Sequence, residues 1–174
     1  FHGACAYVLS DKTLLDTDYS SLIDSYEFVI RFNLAIKYLH QYKIGNKCDA
    51  WIYAMLREQV CKLTYNEATI KPKYCIRYGN ITQFDEHTMT LDIDKNEVRE
   101  TLGIPEEKFP STGIATVHYL VNKCNCSTLS LIGFDSMINS NFYIRTNRAK
   151  VHHCPYKEKT YLNALQSDNK LNIL

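Results

Sequence analysis

The chain has 174 residues, 45% of them hydrophobic and 22% charged, with 20 Lys and Arg against 19 Asp and Glu. That length suits one domain spanning residues 1–174 with a core of its own. The net charge of +1 argues against a protein built to neutralise a nucleic-acid backbone. No apolar run approaches the roughly 20 residues of a membrane span. The sequence opens at Phe1, so membrane association is expected only through an N-terminal anchor outside these residues.

Short apolar or β-branched runs occur at 4–9 (ACAYVL), 27–32 (EFVIRF), 48–54 (CDAWIYA), 73–78 (KYCIRY) and 128–134 (TLSLIGF), with a further one at 171–174. These predict buried strands. Helical patterns lie between them. Residues 13–24 carry Leu14, Leu15, Leu22 and Ile23, and residues 95–102 end at Gly103, a natural C-cap. Residues 112–123 place Ile114, Val117, His118 and Val121 at i, i+3, i+4 and i+7. Residues 155–166 begin with Pro155, which suits a first helical turn. Residues 79–94 and 135–150 read as loops. Strands alternating with helices predict βαβ units and a mostly parallel α/β sheet covered on both faces.

The seven cysteines are Cys5, Cys48, Cys61, Cys75, Cys124, Cys126 and Cys154. They are too sparse for a disulfide scaffold, and Cys124-Asn125-Cys126 has the wrong spacing for a zinc or redox half-site. Cys154 follows His152 and His153, but no second half-site completes a structural zinc pattern. Two glycosylation sequons, at Asn80 and Asn125, hint at a secretory origin. The 13 tyrosines interleave with no basic stripe and read as packing, not as a platform for nucleic acid.

In such sheets, ligands bind beyond the carboxyl ends of the strands. Three places fit: Ser10-Asp11-Lys12 after the first strand, Asn33 after the second, and Phe109-Pro110-Ser111-Thr112-Gly113 at the start of a helix. Ser111 reads as an N-cap, and the free N–H groups behind a cap attract phosphate. Ser111 reads equally well as a cap with no ligand. His152 and His153 precede the last helix, with Glu158 five residues after His153. A histidine there can take a proton from a hydroxyl, or sit on the surface. Asn33 also fits a plain strand-end turn.

Taken together these segments resemble the eukaryotic-type sialyltransferases. The first motif of that family is matched by Cys5-Ala6-Tyr7-Val8-Leu9-Ser10-Asp11-Lys12, then by Ile23-Asp24 and Phe28-Val29-Ile30-Arg31-Phe32-Asn33-Leu34-Ala35. Lys43-Ile44-Gly45-Asn46-Lys47 continues it. The second is matched by Pro110-Ser111-Thr112-Gly113-Ile114, with Cys124 and Ile132-Gly133-Phe134. The last, H-x4-E, is matched by His153 and Glu158.

The resemblance implies a single Rossmann-like, GT-A-like α/β/α domain in the Golgi lumen or secretory pathway. It implies a CMP-sialic acid donor, inverting transfer to a glycan hydroxyl, and no metal or other cofactor. His153 would be the catalytic base, with Glu158 in support. Ser10, Asn33, Ser111, Thr112, Gly113 and Tyr143 would hold the donor, and Cys5 and Cys124 would form a disulfide. The sequence departs from the family at its glycine-asparagine turn, where Leu9-Ser10 stand, and at a second glycine, replaced by Lys12. A motif histidine is also missing near Asn141-Phe142-Tyr143. These departures leave a second expectation beside the enzyme: an inactive relative that serves as a binding module.

Overall fold

The computed structural model describes residues 4–8, 17–33, 35–36, 43–54, 58–78, 88–91, 93–124, 126, 128–134 and 152–174, with 4–8, 58 and 88 described by their backbone. The strands are β1 (Ala4–Val8), β2 (Phe28–Phe32), β3 (Ala50–Tyr53), β4 (Tyr74–Tyr78), β5 (Thr88–Leu91), β6 (Thr128–Ile132) and β7 (Asn172–Ile173). The helices are α1 (Ser20–Ser25), α2 (Glu58–Glu67), α3 (Lys95–Leu102), α4 (Thr112–Lys123) and α5 (Pro155–Ser167). One sheet takes the order β5-β4-β3-β2-β1-β6-β7, and every pairing in it is parallel.

Side-chain alternation along the central strands explains the layers. Ile30 and Phe32 of β2 and Ala50 and Ile52 of β3 join one core with Val98 and Leu102 of α3, Ile114 and Val117 of α4, and Leu162 and Leu165 of α5. Val29 of β2 and Trp51 and Tyr53 of β3 join the other, with Ile23 of α1 and Cys61 of α2. The sheet is thus covered on both faces, so these strands read as continuous apolar runs in the sequence. Helix α3 is capped by Asp94, whose Oδ1 accepts Asn96 N–H at 2.8 Å, and is stopped by Gly103 at φ 61°, a conformation that favours glycine.

Two elements differ from the sequence expectation. Helix α2 turns Cys61 and Thr64 inward, with Ala68 buried just past its end, and leaves Val60 and Leu63 exposed, so its buried stripe is not apolar enough to signal a helix. Strand β5 lies within the expected loop 79–94. It sits at the sheet edge with the neighbouring residues Met89 and Thr90 both exposed, so neither face shows the usual burial pattern. Of the expected helix 13–24, residues 20–24 lie in α1 and residues 13–16 lie outside the described residues. The expected loop 135–150 and both sequon asparagines also lie outside them.

The topology places the functional edge. From β1 the chain steps outward through β2, β3, β4 and β5, then returns to lay β6 on the other side of β1. The strand order reverses there, and ligand crevices open at the carboxyl ends of such strands. Helices α4 and α5 each lead into a parallel strand, β6 and β7. Each therefore starts at the carboxyl edge and runs back across the sheet. Among the described residues, no helix is long and apolar enough to cross a membrane.

Candidate functional site

Asn33 follows β2 at the carboxyl edge with φ 45°, a left-handed backbone that asparagine tolerates better than most residues. Its carbonyl accepts Trp51 Nε1–H at 2.7 Å, and its Oδ1 accepts Ala54 N–H at 3.0 Å. The side chain thus ties the ends of β2 and β3 together. With Oδ1 engaged, the NH2 of this rigid carboxamide is the group positioned to donate to a ligand.

Ser111 caps α4. Its Oγ accepts Ile114 N–H at 3.2 Å. Its own N–H donates to Glu158 Oε1 and its hydroxyl to Glu158 Oε2, both at 2.8 Å. Glu158, in the first turn of α5, is only 4% exposed. Burial pushes its carboxyl group up to about 7, and the two bonds from Ser111 pull against that rise. Glu158 therefore joins the starts of α4 and α5, and both its oxygens turn to Ser111. Deeper along the same helices, His118 Nδ1 lies 3.0 Å from Tyr161 Oη. Thr112 and Gly113 stand in the first turn of α4, at a helix end that favours anions.

His153 lies just ahead of α5. Its Nδ1 is 2.8 Å from the carbonyl oxygen of Phe109. A carbonyl only accepts, so Nδ1 carries the hydrogen and a neutral ring presents the Nε2 lone pair outward. Phe109 N–H in turn donates to the His152 carbonyl at 2.9 Å. Two backbone-directed bonds thus lock the histidine segment to the loop that leads into Ser111. A base with its second nitrogen fixed is what proton abstraction from a hydroxyl needs.

The structure therefore brings Ser111, Thr112, Gly113, His153 and Glu158 into one cluster, with Asn33 on the same edge of the sheet. Ser10 and Tyr143 lie outside the described residues. Among the described residues there is no disulfide pair, and no group of three or more His, Cys, Asp or Glu able to hold a metal. Cys124 stands at the C-cap of α4, where burial raises its thiol pKa. The side chain of Cys5 lies outside the described residues, and the expected pairing with it.

Two participants escaped the sequence reading. The Phe109 carbonyl is a backbone group and leaves no trace in residue type. Tyr78 ends β4 at the carboxyl edge, only 6% exposed, and its hydroxyl has no hydrogen-bond partner among the described residues. Burial raises the pKa of that hydroxyl, and the nearby charge of Glu158 raises it further. Its place at the end of an expected strand was the available signal.

No protein-family model matches the sequence, and no curated protein matches it. Solved structures do. The chain is similar to a mammalian sialyltransferase, solved alone and in complex with Gal-beta-1-3GalNAc-ortho-nitrophenol. Each match has a TM-score of 0.70 at 21% identity, and covers 99% of this chain and 69% of that one. The fold of this chain is that of the sialyltransferases.

Proposed function

We infer that the chain is a glycosyltransferase of the sialyltransferase type, which moves a sialyl group from CMP-sialic acid to a glycan hydroxyl with inversion. The observation that carries this reading is the His153–Phe109 bond, which holds the Nδ1 hydrogen and leaves Nε2 as the base nitrogen, on the segment tied to the anion-favouring start of α4. The acceptor oxygen attacks the anomeric carbon while the bond from that carbon to the CMP phosphate oxygen breaks. His153 Nε2 takes the acceptor's proton, worth about 10²–10⁴ in rate. The leaving CMP gathers negative charge, which the N–H groups of Thr112 and Gly113 stabilise. In this scheme that helix end, and no metal, meets the phosphate. Asn33 offers its NH2 to the nucleotide, and Ser10 and Tyr143 complete the donor site. Ser111 and Glu158 hold the start of α4. The Golgi lumen or secretory pathway is the compartment that fits such a donor and acceptor.

Calorimetric titration with CMP tests the donor half of this reading, with UMP and GMP as controls. CMP should bind and the other two should bind at least tenfold more weakly. Equal affinity for all three, or no binding, would remove the nucleotide assignment and favour an inactive binding module.

A further inference from the structure

Ser111 has a single hydroxyl hydrogen, and it goes to Glu158 Oε2. Ser111 Oγ itself accepts Ile114 N–H, and Ser111 N–H goes to Glu158 Oε1. In this arrangement Ser111 has nothing to donate to an anion at the start of α4. An anion there would also stand one residue away from a buried carboxylate. The Tyr78 hydroxyl is buried, has no hydrogen-bond partner among the described residues, and is close enough to Glu158 to feel its charge. It has a hydrogen to give, but Ser111 has none while Glu158 is ionised, and the carboxylate repels an anion at this helix end.

We propose that an anion seated at the start of α4 binds together with one proton, which Glu158 takes up from solvent. The proton goes to Glu158 Oε2. The new O–H donates to Ser111 Oγ, which keeps Ile114 N–H, and Ser111's own hydrogen swings to a ligand oxygen. Only an O–H bond to the incoming proton forms, so atoms and charge balance. Neutral Glu158 still accepts Ser111 N–H at Oε1, and α4 stays anchored.

The surroundings of Glu158 support this. Ser111 faces it from the cap of α4, and Tyr78 from β4. Lys95 of α3 lies over the Tyr78 ring, 4.8 Å from its centre. On Glu158's own segment stand His153 and Lys157, and the Lys157 ammonium lies beside Gly103 at the end of α3. Burial, offset in part by the two bonds from Ser111, already brings the carboxyl group to about 7, so the free protein is about half protonated at pH 7. About half a proton is then left to take up at pH 7, and nearly a whole one at pH 8.

The proposal rests on the nucleotide reading only for the choice of CMP as a probe, so sulfate serves as a second. Sulfate has no titrating group in this range. Each is titrated by calorimetry in two buffers of different ionisation enthalpy. The expected result is a heat that depends on the buffer, giving about half a proton taken up per ligand at pH 7, with affinity falling up to about tenfold per pH unit above that. Glu158→Gln should lose the protein's share of the uptake and bind with a flat pH dependence. This variant also subtracts any proton taken by the CMP phosphate itself. Sulfate binding with buffer-independent heats overturns the proposal, and so does CMP uptake that is undiminished in Glu158→Gln. Either result leaves the nucleotide reading standing if CMP still binds selectively. Sulfate bound with uptake, without selective CMP binding, sustains the proton coupling and removes the nucleotide reading. Binding of neither probe overturns both.

Discussion

Arg31 and Glu158 are both almost wholly buried, at 0% and 4% exposure, one on each face of the sheet. Arg31 donates Nε–H to the Lys47 carbonyl at 2.8 Å, and its Nη2 donates to the carbonyls of Ile44 at 2.8 Å and Gly45 at 3.3 Å. Burial lowers its pKa, but only to about 10, so it stays charged across the neutral range. The loop it grips is closed from the other side by Asp24, whose Oδ1 accepts Asn46 N–H at 3.0 Å and Lys47 N–H at 2.8 Å. Glu158 has one residue for a partner, and burial brings it to about 7. One buried charge is fixed and serves the fold. The other is poised to change with its surroundings, at the edge where ligands of such sheets bind.

Removing Arg31 should have the largest effect on stability. Arg31→Ala leaves buried carbonyls without their donor and opens a cavity, and should cost on the order of 3–5 kcal/mol. Urea unfolding at pH 5 and pH 8 should find the same loss at both, because Arg31 does not titrate between them. A loss that changes with pH would blur the contrast between the two charges.

Glu158→Gln should act only through pH. A carboxyl group raised from 4.5 to about 7 makes folding stability fall as pH rises from 4.5 through 7, by about 3 kcal/mol in all. The variant lacks that fall. Its stability relative to the parent should therefore rise by about 3 kcal/mol between pH 4.5 and pH 8, read from parallel unfolding curves. A constant difference would mean that Glu158 is an ordinary carboxylate. Ser111→Ala should cost about 1–2 kcal/mol through the lost cap. It also removes one of the two bonds that hold the Glu158 pKa down, so the carboxyl titration followed by 13C NMR should move upward. His153→Ala should change stability least, within about 0.5 kcal/mol, as expected of a side chain outside the core.

The parts of this comparison that could be read in the sequence are those set by neighbouring residues. The strands 27–32 and 48–54 were visible because both faces are buried, which makes their apolar runs continuous. Ser111 was visible as a cap because a cap acts within three residues of itself. The stripe of Cys61 and Thr64 in α2, continued by Ala68, was not, since burial there falls on small or polar residues while Val60 and Leu63 stay exposed. Glu158 could be singled out by its spacing from His153. Its bonds to Ser111, 47 residues away, could not, because they exist only once α4 and α5 start side by side. The same holds for Tyr78 and for the carbonyl that fixes His153. Sequence named the groups, and packing decided which of them meet.

The most direct test of the account is CMP release from CMP-sialic acid in the presence of a panel of glycan acceptors, comparing the parent chain with His153→Ala. The account predicts acceptor-dependent release by the parent, lowered by about 10²–10⁴ in the variant with its fold intact. Equal rates in the two proteins would contradict it.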